Sequence, residues 1–219
     1  MTNNFSAVIF DMDGLVLDTE STYCPAWQQA AATMGQNLPD AFCLSLSGLH
    51  QRDVEQKLLA ACGADFNLQD FHHTAGLFWR DHVNTHGITI KPGFTPLLDN
   101  IVQQQLPFCL ATNSRAANAF ECLELAGLSG VFATVITRDD VECGKPAPDI
   151  FLAAADALQV DIRHCLVLED SYTGIVAATT AGAFSVYVPS VTPADPAAIA
   201  LCGMMAADLR QILDIIRLA

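Results

Sequence analysis

The sequence predicts an α/β protein: a doubly wound parallel sheet, with a helical domain inserted after the first strand. Three observations lead there. Short apolar runs, several of them rich in Val and Ile, recur along the chain as buried parallel strands do. Between them lie stretches whose apolar residues fall three and four positions apart, and this alternation is the pattern of strands joined by crossover helices. One region, from about residue 19 to 86, breaks the alternation and reads as helix throughout.

In chain order the strands are SAVIF (6–10), LPFCLAT (106–112), VFATVIT (131–137), HCLVLED (164–170) and FSVYV (184–188). Helices are predicted over 114–126, 148–158, 172–181 and 207–217, with Gly127 and Gly182 standing where helices stop. The last of these contains DLRQILDIIRLA, an amphipathic stretch expected to pack on the sheet. Inside the insert, helices are expected near 19–34, 51–62 and 68–84. Its entry follows the DMDG turn directly, and its exit near 87–93 holds Gly, Lys and Pro, a hinge composition. The expected boundaries are therefore 1–16 with 88–219 for the core and 17–87 for the helical insert.

Composition narrows the function. A chain of 219 residues, 52% hydrophobic, has enough apolar surface for a full core. A formal charge of −14 repels phosphate backbones and anionic lipid, so neither nucleic acid nor a membrane is expected as a partner. No run reaches the about 18 apolar residues a spanning helix needs. The start, MTNNFSAVIFDMDG, has no basic leader or small-residue cleavage site, and a cytoplasmic location is the expectation. The eight cysteines are scattered singly and read as free thiols, not as a disulfide frame.

The chemistry-bearing residues gather at predicted strand ends. Asp11 and Asp13 lie two apart after the first strand, so both face one space, and Gly14 lets the chain turn away. Alone, such a pair is an ordinary acidic turn. However, HCLVLED ends in a second pair, Glu169 and Asp170, and parallel strands bring their carboxyl ends to one edge. Two acidic pairs at one edge suit a hard divalent cation with oxygen ligands, and magnesium also takes substrate phosphate oxygens. Only three lysines exist, and Lys145 sits in ECGKPAPD, stiffened by Gly144 and two prolines, where an ammonium would hold a phosphoryl oxygen. Thr112, Asn113 and Ser114 end another strand and supply hydroxyl and N–H donors for an anion at a helix start. Together these are the parts that phosphoryl transfer through a covalent aspartyl-phosphate needs.

The stretches DMDGLVLDTE, LATNS, CGKPAPDIF and LEDSYTGI, in this order, resemble the four motifs of the haloacid dehalogenase superfamily, over residues 8 to about 188. The layout is similar to its phosphatases related to β-phosphoglucomutase. That resemblance implies a Rossmann-like core, a small helical cap and a Mg²⁺-dependent phosphatase acting on a small phosphate ester such as a sugar phosphate. It implies Asp11 as nucleophile and Asp13 as acid and base. Thr112, Asn113 and Lys145 would hold the phosphoryl group, and Asp11, Asp13 (through its backbone carbonyl), Glu169 and Asp170 would surround the metal. Substrate choice would fall to the cap segment SGLHQRD, with His50, Gln51 and Arg52, and to cap helix residues such as Trp79 and Arg80. Relatives of this kind are often monomers, the expectation here.

Asp13 argues against dehalogenase chemistry, whose members lack that second aspartate. Lys57 is poorly placed for the cap lysine of phosphonatases. Mutases of the branch carry a histidine and basic cap residues where this chain has Tyr23, Ser47 and Gln51, with Arg52 one position on. A phosphosugar mutase is the alternative to the phosphatase, and a non-catalytic phosphate-sensing or partner-binding module a second one.

Overall fold

The structure is a computed structural model that describes residues 5–46 and 51–213. The described chain divides into two compact units, one running to Leu17 and resuming at Ile90, the other spanning Asp18–Thr89.

The first unit is a Rossmann-like α/β fold. It opens with β1 (Ala7–Phe10), every residue of which is buried. The second unit follows with α1 (Glu20–Thr33), the short α2 (Asp40–Leu44), α3 (Gln51–Cys62) and α4 (Leu68–His86). The first unit then continues through α5 (Phe94–Gln103), β2 (Phe108–Ala111), α6 (Ala116–Leu125), β3 (Val135–Ile136) and α7 (Asp149–Ala157). It ends with β4 (Cys165–Glu169), α8 (Tyr172–Ala181), β5 (Phe184–Tyr187), α9 (Pro196–Leu201) and β6 (Met204–Met205). All pairings are parallel, in the order β3-β2-β1-β4-β5-β6. The order reverses at β1, so the crevice beyond β1 and β4 is a topological switch point.

Register decides what meets at that edge. Phe10 pairs with Leu110 on one side and Leu168 on the other, so one step further Asp11 stands level with Ala111 and Glu169. The amide of Asp11 keeps the ladder, donating to Leu168 O at 3.0 Å. Alternate residues of β1, β2 and β4 bury against α7 and α8: Ile9, Cys109 and Val167 pack with Ile150, Phe151 and Ala177. The opposite face holds Phe10, whose ring meets Phe94 at 5.6 Å and Phe132 at 6.0 Å. With both faces covered, the strands read as continuous apolar runs.

Several elements differ from expectation. VFATVIT forms a strand only at Val135–Ile136, because Phe132 turns into the aromatic cluster with Phe10, Phe94 and Phe108. Helix α5 lies outside the expected helices, because it starts directly after Gly93, the end of the hinge-like segment 87–93. Pro96 lies in the first turn, where its missing N–H costs nothing, and Phe94, Leu97 and Ile101 bury one face. Helix α9 and β6 were hidden for a similar reason: Asp195 caps a proline-led, alanine-rich turn of helix. Of the helix expected over 207–217, the described residues contain a 3₁₀ turn, Leu209–Gln211, that runs into helical residues 212 and 213, and the stretch from 214 on lies outside them.

In the helical unit α1 and α4 pack together around Trp79, whose indole N–H donates to Thr22 Oγ1 at 3.0 Å while Tyr23 stacks on the ring at 5.4 Å. All eight cysteines are free thiols; Cys43, Cys109, Cys122 and Cys165 are buried, and Cys143 is exposed. Among the described residues no helix is long and apolar enough to cross a membrane.

Candidate active site

At the switch point the chain buries three carboxylates against one ammonium. Asp11 is 6% exposed, Glu169 0%, Asp170 7% and Lys145 4%. Charged side chains are buried to this degree only when paired. Lys145 Nζ uses all three donors: 2.5 Å to Asp11 Oδ1, 2.6 Å to Glu169 Oε1 and 2.9 Å to Ala111 O. The Phe151 ring lies 4.9 Å beneath it.

Burial works to lower the Lys145 ammonium, but Asp11 and Glu169 outweigh it and hold the group above the ordinary lysine range. Burial pushes the Asp11 carboxyl up to about 8 against the lowering pull of Lys145, and the neighbouring charges of Glu169 and Asp13 add to the rise. With three carboxylates gathered against one ammonium, the site holds an excess of negative charge. Ligand oxygens of Asp11, Glu169 and Asp170 lie within 4.8 Å of one another. Hard oxygens, excess negative charge and burial fit a hard divalent cation.

Local sequence explains how each acid is aimed. Glu169 has both oxygens engaged, Oε1 by Lys145 and Oε2 by the N–H of Ser171 at 3.0 Å and its hydroxyl at 2.9 Å. Ser171 is also the N-cap of α8, accepting from Gly174 N at 3.1 Å. Gly174 leaves the room: a Cβ there would fall 1.8 Å from the Glu169 carboxylate. Gly174→Ala is accordingly expected to push Glu169 off Lys145 and destabilise the protein by about 1–3 kcal/mol, read by urea denaturation. Gly14, at φ +79°, does the same service for Asp170, whose Oδ2 would lie 2.0 Å from an added Cβ.

Asp13 is held from the β2 end. Its Oδ2 accepts from Ser114 Oγ at 2.8 Å and Thr112 Oγ1 at 3.3 Å, while Thr112 Oγ1 accepts from Ser114 N at 3.0 Å. Its Oδ1 is buried with no hydrogen-bond partner among the described residues. Asn113 faces Lys145: the Lys145 N–H donates to Asn113 Oδ1 at 2.8 Å, and Asn113 Nδ2 donates to Lys145 O at 3.1 Å.

The edge thus brings together Asp11, Asp13, Thr112, Asn113, Lys145, Glu169 and Asp170. Ser114, expected as a donor for an anion, gives its hydroxyl to Asp13, and Ser171 does the same for Glu169; the signal for Ser171 is a hydroxyl directly beside an acidic strand end. In the helical unit, His50 lies outside the described residues, Gln51 opens α3, and Arg52 is an exposed residue of its first turn. Trp79, read as a substrate contact, is instead a core residue of that unit, because Thr22 and Tyr23 occupy its N–H and its face. Arg80 is exposed on α4.

Known proteins are similar to this chain over most of its length. A family model for haloacid dehalogenase-like hydrolases matches residues 5–182, which takes in all of these strand ends. The fructose-1-phosphate phosphatase YqaB of Escherichia coli is 32% identical over 83% of this chain and 95% of its own. The β-phosphoglucomutase of Bacillus subtilis is 29% identical over 95% of this chain and 91% of its own. The solved structure of a putative β-phosphoglucomutase from Thermotoga maritima superposes with a TM-score of 0.81 at 26% identity, covering 97% of this chain and 98% of that one. Motif order, sheet order and family match agree, and the chain belongs to the haloacid dehalogenase-like hydrolases.

Proposed function

We propose that the protein is a Mg²⁺-dependent phosphatase that hydrolyses a small phosphorylated metabolite, in the first place a sugar phosphate, through an aspartyl-phosphate on Asp11. The observation that carries this reading is the buried pairing of Asp11 with Lys145 at 2.5 Å, beside an Asp13 whose Oδ1 has no partner. Simple anion binding needs no buried carboxylate at the centre of the site; a nucleophile does.

Asp11 attacks phosphorus, and the ester oxygen leaves as an alcohol with a proton from Asp13. Since Oδ2 of Asp13 already accepts two hydroxyl hydrogen bonds, the proton moves at Oδ1. Asp13 then takes a proton from water, whose oxygen attacks the same phosphorus and frees Asp11 and inorganic phosphate. To hold the phosphoryl group, Lys145 and the Thr112 hydroxyl would each exchange a present acceptor for a phosphoryl oxygen, and Asn113 would add a donor beside them. Asp11, Asp170 and the Asp13 carbonyl would hold Mg²⁺, with Glu169 beside them and tied to Lys145. When bound, the cation would offset the charge of the carboxylates and of the transferring group. The helical unit serves as the cap domain in this reading, and the choice among esters is assigned to its segment 50–52.

Phosphate release from a panel of sugar phosphates, among them fructose 1-phosphate and glucose 1-phosphate, tests the reading. Release is expected to fall about 100-fold or more in EDTA and to return with Mg²⁺; unchanged turnover in EDTA contradicts it. The similarity to a mutase over nearly the whole chain favours one second reading, interconversion of glucose 1-phosphate and glucose 6-phosphate. The same panel separates the two, because a mutase returns a new ester in place of free phosphate.

A further inference from the structure

We propose that Arg138 is a positioning residue for Lys145, setting the loop that delivers the ammonium to Asp11; the proposal rests on the phosphatase reading of that site. Arg138 opens the 3₁₀ turn Arg138–Asp140 just after β3. The turn is anchored by Thr137, which is 1% exposed and donates through Oγ1 to Asp140 Oδ2 at 2.7 Å. From this base the guanidinium reaches over the loop before Lys145. Nη1 donates to Val141 O at 2.8 Å and Nη2 to Glu142 O at 3.1 Å.

Two further contacts make the turn a junction. The N–H of Arg138 donates to Ser114 O at 3.0 Å, and Ser114 is the residue whose hydroxyl holds Asp13. Asp139 Oδ2 accepts from Ala116 N at 3.0 Å, fixing the start of α6. The Arg138 stem and the Asn113 amide then converge on Gly144, the residue before Lys145. A Cβ on Gly144 would lie 2.5 Å from Asn113 Oδ1, 2.7 Å from Arg138 Cδ and 2.9 Å from Nε. Asn113 thus locates the Lys145 backbone, and Arg138 locates the chain leading into it.

The residue type matters. A guanidinium presents a rigid fork that satisfies two successive carbonyls at once, whereas an ammonium on a flexible stem would take one and leave the loop free to pivot. Lys145 has no slack to absorb a pivot, since each of its three N–H groups is committed. Displacement by about 1 Å in such a site costs up to about 100-fold in rate.

Arg138→Met keeps the stem and removes the fork. Turnover of an aryl phosphate is expected to fall about tenfold in this variant, and by a smaller factor in Arg138→Lys, which restores one donor. In a Lys145→Met background the same Arg138→Met change is expected to alter inorganic phosphate affinity and residual turnover less than about twofold, since a residue acting through Lys145 has nothing left to act on. The NMR signal of the Lys145 ammonium, protected by its three hydrogen bonds, is expected to shift or vanish by exchange in Arg138→Met. Equal losses in both backgrounds, or an unchanged ammonium signal, overturn the proposal and leave Arg138 a purely structural residue. The signal is read without turnover, so a protein that hydrolyses no ester overturns the phosphatase reading while the ammonium still decides the placement of Arg138.

Discussion

Asp11→Asn is expected to lower kcat by roughly 10⁴-fold or more, because the amide keeps the shape of the site and cannot accept the phosphoryl group. The same substitution is expected to stabilise the metal-free protein. Asp11, Glu169 and Asp170 crowd around one ammonium, and an amide in place of the first removes the cost of holding either a charge or a proton there. The pH dependence separates this from a generic effect. Burial raises the Asp11 carboxyl from 3.8 in the unfolded chain to about 8 in the folded one. Between those values the folded state keeps a proton that the unfolded state has released, so this group makes stability fall as pH rises across the window. Urea denaturation in EDTA at several pH values should show that fall in the native chain and a flatter profile in Asp11→Asn. A steeper fall in the variant contradicts the assignment.

Lys145→Met is expected to have the opposite effect on stability, with a large loss of activity. It deletes the ammonium that bridges Asp11 and Glu169 and leaves both carboxylates buried beside a thioether. Breaking a buried pair from one side costs about 3–5 kcal/mol. Activity should fall about 10³-fold, the scale of losing a preorganised charge at the reacting phosphoryl group. Comparing melting curves with and without Mg²⁺ gives a further check. The cation should recover more stability in Lys145→Met than in the native protein, since it is then the only positive charge in the site. Equal stabilisation of both would mean that Lys145 and the cation do not share the same charge problem.

The strand ends were legible because they break a rule locally. An apolar run such as AVIF or CLVLE that stops on paired acids is costly unless something answers the charge, and Lys145 was conspicuous among so few lysines. The register of β1 with β4 then turned two separate sequence pairs into one site, as parallel strands require. Other features were illegible for equally physical reasons. Phe132 looks like a strand residue until the ring finds Phe10 and Phe94. Pro96 looks like a break until its place in the first turn of α5 is known. Trp79 looks like a substrate contact because its partner, Thr22, lies 57 positions away. Arg138 acts through the carbonyls of Val141 and Glu142, and nothing in its local pattern announces such bonds.

The central claim is that phosphorus is attacked twice, first by Asp11 and then by water. The stereochemical course at phosphorus, followed with an isotopically chiral thiophosphate ester of any hydrolysed sugar, tests it most directly. Two successive in-line displacements predict retention of configuration, whereas inversion would mean that water attacks the ester directly and that Asp11 never carries the phosphoryl group.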